Sequence, residues 1–281
     1  MPNPSEFRKA ILNIEALSST PDVLAKAARL VQDPNVSTHA LCDLVRNDGP
    51  LTADIIRISN SVLYKTGMAH TNLPSAVAAI GLREVLRAIN LSLSRQMFAR
   101  DLASYGITAR DYFSTSVRTA LFMEAMARNI GLNGQDAHMI GVLHAIGRVL
   151  INQILEDFRC SVYWDEKMPI AKWEVESVGF NYAEAGVILL QKWQFAEEIC
   201  HAIHHQLDSE NETDQLSLLG VLQFSLRFLP QTGLGANRPT VDENDLFLSR
   251  SHITYENAVQ ILKETEETLQ NIQTSLGVKS R

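Results

Sequence analysis

The stretch GVLHAIGRVLI, Gly141 to Ile151, decides how this chain is read. It lies in an apolar run whose helical period extends over residues 134–155, and it carries one histidine, His144, followed by Ala145. An imidazole in such a run serves as a metal ligand or proton carrier, or it is a buried side chain hydrogen-bonded to a backbone carbonyl. Ala145 can neither bind a metal nor move a proton, so His144 has no acidic partner beside it. The residues on either side of this run decide between the two readings.

Outward from that stretch the periodicity is helical nearly everywhere. Thr20 as N-cap and Pro21 at the first helical position predict a helix with Val23, Leu24, Ala27, Leu30 and Val31 on one face, closed by Pro34. Ser37 predicts a second helix with Ala40, Leu41, Leu44 and Val45 inward, and Pro50 a third that buries Leu51, Ile55 and Ile58. The pattern resumes after Pro74, and from Leu82 to Phe98 the residues Leu82, Val85, Leu86, Ile89 and Leu93 are in phase. Gly106 interrupts it, and Thr108 with Asp111 reads as a capping arrangement. This puts a lobe boundary at residue 108, with an N-terminal helical lobe over 1–108 and a second helical lobe over 109–281. Further helices are expected over 111–130, 168–177, 182–192, 195–207 and 214–229. The run PQTGLGANRPTVDEND, Pro230 to Asp245, reads as a loop. A last helix, Thr254 to Leu276, carries Ala258, Ile261, Leu262, Leu269 and Ile272. No segment alternates as strands do, so the expected fold is all-α.

Composition narrows the function. A hydrophobic content of 46% over 281 residues is enough for a sizeable core, and a net charge of -7 argues against general binding to a nucleic acid backbone. The charge is uneven. Through Arg110 there are 12 Lys/Arg against 9 Asp/Glu, and beyond it 13 against 23. Cys42, Cys160 and Cys200 are scattered without Cys-x-x-Cys spacing, which predicts neither a disulfide framework nor a structural zinc knuckle. No segment approaches the ~20 uninterrupted apolar residues of a membrane span. The expectation is a cytoplasmic protein without membrane or nucleic acid partners.

Several blocks together resemble a known family. RNDGPLTADIIRISNSVLY (Arg46–Tyr64) followed by LPSAVAAIGLREVLRAI (Leu73–Ile89) is similar to the N-terminal lobe of the HDOD family, HD-related output domains of bacterial signalling proteins. SSTPDVLAKAARLVQDPNVS (Ser18–Ser37) resembles its opening helix. GVLHAIGRVLI, GFNYAEAGVILLQKWQF (Gly179–Phe195) and AIHHQ (Ala202–Gln206) resemble its later blocks, in order, so the likeness covers residues 14 to 230. It implies a two-lobed helical fold whose second lobe keeps the scaffold of HD metal-dependent phosphohydrolases. Those enzymes hold metal ions with histidines and aspartates from several helices, in a shell that one or two ligands cannot make. The resemblance places the first histidine of that pattern at Thr115, the aspartate at Ala145 and a third histidine at Tyr182, leaving His144 with His204 and His205. A vestigial pocket of Thr115, His144, Ala145, Tyr182, His204 and His205, without metal, cofactor or catalytic residue, is the resulting expectation.

The function implied by the resemblance is non-catalytic binding in a bacterial signalling pathway, with a signalling protein as partner. Two rival readings stay open. One is a metal-dependent phosphohydrolase with a rearranged site around His144, His204 and His205, where His201 and His205, four residues apart, share a helix face near Cys200. The other is a sensor that holds a small ligand in the emptied metal cavity. Arg83, Arg87, Asn90 and Ser94 line one polar helix face, a candidate site for an acidic partner or an anion. In NSVLY, Asn60 is expected to hold a helix terminus through side-chain bonds.

Overall fold

The computed structural model describes residues 4–13, 26, 30, 37–46, 49–60, 70–97, 99–208, 216–229 and 241–275. The elements are α1 (Pro4–Asn13), α2 (Thr38–Arg46), α3 (Gly49–Ser59), α4 (Leu73–Met97), a 3-10 turn (Ala103–Tyr105), α5 (Ala109–Asn129), α6 (Gly134–Leu143) and α7 (Ile146–Asp157). They continue with α8 (Ile170–Val178), α9 (Tyr182–Lys192), α10 (Glu197–His205), α11 (Leu218–Phe228), α12 (Leu246–Ser251) and α13 (Tyr255–Ser275). Among the described residues there is no strand, and one isolated bridge joins Leu102 to Ile107. The fold is all-α. Apart from residues 26 and 30, which are helical, the helix expected over Thr20–Pro34 lies outside the described residues, as do Ser61 of NSVLY and most of the loop after Pro230.

The chain divides into two compact units, one of Met1–Glu15 with Phe98–Thr265, the other of Ala16–Met97 with Glu266–Arg281. In the second of these, Ser37 caps α2 by accepting from the Ala40 amide at 3.1 Å. Of the residues expected inward, Val45, Leu51, Ile55, Ile58, Val85 and Ile89 are buried, while Ala40 and Leu44 are half-buried. The two helices expected after Pro74 and from Leu82 are joined at Gly81, whose φ of 80° is open to glycine at little cost. Asn60 closes the excursion between α3 and α4. Its Nδ2 donates to the carbonyls of Ile56 and His70 at 2.8 Å, and its Oδ1 accepts from the His70 amide at 2.8 Å.

In the larger unit Thr108 caps α5, accepting from the Asp111 amide at 3.1 Å. Residues 99–107 belong to this unit because they are bonded into it: the Ser104 amide donates to Asn152 Oδ1 at 3.0 Å, and the Trp164 amide to the Ser104 carbonyl at 2.8 Å. Phe7 and Ile11 of α1 are buried, Phe7 edge-on to Phe158 at 5.2 Å. Glycines let two helix pairs approach closely. A Cβ on Gly141 would lie 2.4 Å from Ala120 Cα, and one on Gly147 would lie 2.0 Å from the Tyr182 carbonyl oxygen. The stretch 134–157 is long and apolar enough to cross a membrane by composition, but most of it is buried within the protein.

One expectation is corrected here. The run over 134–155 is two helices, because the chain turns at His144 and Ala145. The Ala145 carbonyl accepts from the Arg148 amide at 3.0 Å, and side chains from elsewhere add to the bonding of the break. Gln206 Nε2 donates to the His144 carbonyl at 2.7 Å, and the Tyr112 hydroxyl donates to that of Ala145.

Candidate functional site

The break between α6 and α7 sets the geometry of the site. His144 is 2% exposed, and its Nδ1 faces the Gly141 carbonyl at 2.8 Å, which makes that nitrogen the donor. Ala145 is buried and offers only its backbone. Tyr112 of α5 reaches the break through its hydroxyl, and Thr115, three residues on, is buried, its carbonyl accepting from Thr119 Oγ1 at 2.9 Å.

Arg148, one turn into α7, is 1% exposed and lays its guanidinium over the Tyr182 ring, 4.1 Å from the centroid. Cation–π contact of a desolvated pair contributes about 2 kcal/mol. That does not offset the several kcal/mol typically needed to bury an ion, about the scale set by its desolvation. The counter-charge is Glu174 of α8, fully buried, with Oε1 3.9 Å from Arg148 Nε. The carboxylate is committed elsewhere: Oε1 accepts from the Tyr105 hydroxyl at 3.0 Å and Oε2 from the Tyr182 amide at 2.8 Å. Arg148 Nε and Nη1 are left without a hydrogen-bond partner. Burial pushes the Glu174 carboxyl up to about 7, against the opposing pull of Arg148 and of those two hydrogen bonds. Burial likewise raises the Tyr112 and Tyr105 hydroxyls, so both stay protonated and able to donate.

The six positions assigned to a vestigial pocket therefore divide. Thr115, His144, Ala145 and Tyr182 are interior. His204 is exposed and His205 half-exposed, at the C-terminal end of α10, where His205 Nδ1 meets Asp208 at 2.7 Å and stacks 4.5 Å from His201. Cys200 is buried with its thiol toward the Phe195 carbonyl, and burial raises its pKa, so it does not join those imidazoles. Among the described residues no group of three or more His, Cys, Asp or Glu side chains is placed to hold a metal ion. The residues present do not fit the divalent ion of an HD enzyme. Thr115 and Tyr182 are weak donors, Ala145 is none, and a cation beside Tyr182 would meet the like charge of Arg148.

On α4, Arg87 is partly buried and paired with Glu84 at 3.3 Å. The side chains of Arg83, Asn90 and Ser94 lie outside the described residues. The residues that sequence reasoning missed are Arg148, Glu174, Tyr105, Tyr112 and Gln206. A signal for the first was present: a lone arginine inside the apolar run IGRVLI has to be either exposed or paired.

The fold is an all-α scaffold with a buried Arg148–Glu174 pair beside Tyr182. The model of the HDOD domain matches residues 17–209, and the chain belongs to the HDOD family. It is similar to an HDOD domain protein with unknown function from Geobacter sulfurreducens, 21% identical with a TM-score of 0.72, over 97% of this chain and 96% of that one. A provisionally named signal transduction protein of Marinobacter aquaeolei VT8 is 17% identical with a TM-score of 0.70, over 98% of this chain and 65% of that one. A provisionally named metal-dependent phosphohydrolase of Shewanella amazonensis SB2B is 19% identical with a TM-score of 0.61, over 97% of each chain. At these identities the likeness is one of fold. An uncharacterized protein of Treponema pallidum (strain Nichols) is 22% identical over 225 residues, 77% of this chain, and the chain spans 43% of that relative's length.

Proposed function

We propose that this chain is a non-catalytic regulatory binding protein of the HDOD type, working in the cytoplasm within a bacterial signal-transduction pathway. The observation that carries this reading is the chemistry of the residues at the positions that the resemblance assigns to metal ligands. Thr115, Ala145 and Tyr182 stand at three ligand places of the HD pattern, and the Arg148 guanidinium covers the Tyr182 ring at 4.1 Å. Water activation by a metal needs several anionic or imidazole ligands around an open coordination site, and this donor set lacks them. A scaffold without that chemistry retains its surfaces, and the α4 face of Arg83, Arg87, Asn90 and Ser94 is the proposed place for an acidic protein partner or an anion. Because Arg87 already pairs with Glu84, the partner's carboxylate would have to compete for it. A small ligand lodged beside Tyr182 would have to displace Arg148.

The rival reading is a phosphohydrolase with a rearranged site around His144, His204 and His205. Its support is the name of the Shewanella relative and the contact between His201 and His205. The separating experiment assays hydrolysis of phosphomonoesters and phosphodiesters with manganese, zinc or magnesium, beside affinity capture of a partner from native extract. Capture that is lost on Arg83→Glu with Arg87→Glu, without hydrolysis, supports the binding role. Metal-dependent turnover lost on His144→Ala supports the enzyme.

A further inference from the structure

We infer that Glu174 and Arg148 form a proton-operated switch inside the larger unit, in which protonation of Glu174 leaves Arg148 without its counter-charge and reverses the hydrogen bond to Tyr105. The inference goes beyond the binding role proposed above and does not depend on it.

The geometry gives the switch its parts. Glu174 has no exposure to solvent, so a change in its charge cannot be screened by water. Four elements meet at its carboxyl group: α8 supplies Glu174, the 3-10 turn supplies Tyr105, α7 supplies Arg148, and α9 supplies the Tyr182 amide. Tyr112 of α5 also faces the same charges. In the ionised state both carboxylate oxygens accept, and interior charge is balanced. A protonated carboxyl must donate its hydrogen, and the Tyr105 oxygen is the partner already in place at 3.0 Å. The Tyr105 hydroxyl would then turn from donor to acceptor, and Arg148 would rest on the Tyr182 ring alone.

The separation of 3.9 Å between Arg148 Nε and the carboxylate, together with the two unpartnered guanidinium nitrogens, marks this pair as incompletely bonded. A bidentate pair would hold the carboxylate ionised through the whole neutral range. Here the pull of Arg148 is weaker than the desolvation of the carboxyl, which sets the change near neutral pH. The sign of the linkage follows. The folded chain holds the Glu174 proton in the window between the ordinary 4.5 and about 7, where the unfolded chain has lost it. Stability is therefore highest below that window, falls as pH rises through it, and is level above it, the full change being on the order of a few hundred fold in the unfolding constant.

Tryptophans stand close enough to report the switch. Trp173, next to Glu174 in sequence, packs edge-on to Tyr105 at 5.1 Å, and the Trp164 amide is bonded to Ser104 beside it. Tryptophan fluorescence of the full chain, titrated across the neutral range, should show a transition centred near pH 7 that Glu174→Gln abolishes. Arg148→Met should move the midpoint upward, because the charge that favours ionised Glu174 is gone. A role in packing alone would move neither midpoint. Should either variant fail to fold, infrared detection of a protonated carboxyl in the unmodified protein just below neutral pH, disappearing just above it, tests the same claim. A transition that persists unchanged in Glu174→Gln would belong to another group and overturn the inference, as would a carboxyl that stays ionised on both sides of neutrality.

Discussion

Replacing Gly147 by alanine puts a methyl group where the protein has only backbone. The added Cβ would stand 2.0 Å from the Tyr182 carbonyl oxygen and 2.7 Å from the Gly186 amide nitrogen. Carbon and oxygen in close contact sit about 3.3 Å apart, so α7 and α9 would have to separate by roughly 1 Å. Neither contacted atom belongs to a side chain that could rotate away. Overpacking a core costs about 1–3 kcal/mol, and backbone set against backbone belongs at the upper end. The better helix propensity of alanine returns about 1 kcal/mol, leaving a net loss of about 2 kcal/mol. In a domain of this size that corresponds to a melting temperature lower by roughly 4–8 °C. Thermal unfolding followed by circular dichroism measures it, with Gly134→Ala as the control. There the Cβ would meet the Arg128 side chain at 2.8 Å, which can shift although it is paired with Glu124, so the loss should be smaller than for Gly147→Ala. If Gly147→Ala melts with the unmodified protein, or Gly134→Ala loses as much, the close approach of α7 to α9 does not organise this site.

Three further outcomes are expected. His144→Ala removes the bond to the Gly141 carbonyl and should cost about 1–3 kcal/mol with or without chelator, and a loss seen only when metal is added would point to the enzyme reading. Tyr112→Phe takes the hydroxyl from the Ala145 carbonyl, and a cost of about 1–2 kcal/mol in denaturant unfolding is expected; an unchanged midpoint would mean that the break is held without it. Arg83→Glu with Arg87→Glu should abolish partner capture while leaving the circular dichroism spectrum of the folded chain unchanged. A collapse of folding in that variant would place these arginines in the structural core.

Much of the scaffold was legible because its signals are local. Ser37, Thr108 with Asp111, and the apolar stripe Leu51, Ile55, Ile58 act within three or four residues, and each does in the structure what its position predicts. Asn60 also holds its turn, although one of its partners, His70, is ten residues away. The break at His144 and Ala145 was not legible. The side chains that satisfy its carbonyls are 33 and 62 residues distant, at Tyr112 and Gln206, and an apolar period runs on undisturbed through a break whose cause is elsewhere. The same holds for Arg148 and Glu174. They lie 26 residues apart on different helices, and only the tertiary approach of α7, α8 and α9 makes them a pair. The burial of Tyr182 under Arg148 was likewise not legible, since the two lie on different helices.

The central claim is that protein side chains have replaced the metal centre of the HD scaffold. Elemental analysis of protein purified without an affinity tag tests it most directly. The account predicts zinc, manganese and iron far below one ion per chain, with no difference between the unmodified protein and His144→Ala. One tightly held ion per chain, lost in His144→Ala, would contradict it.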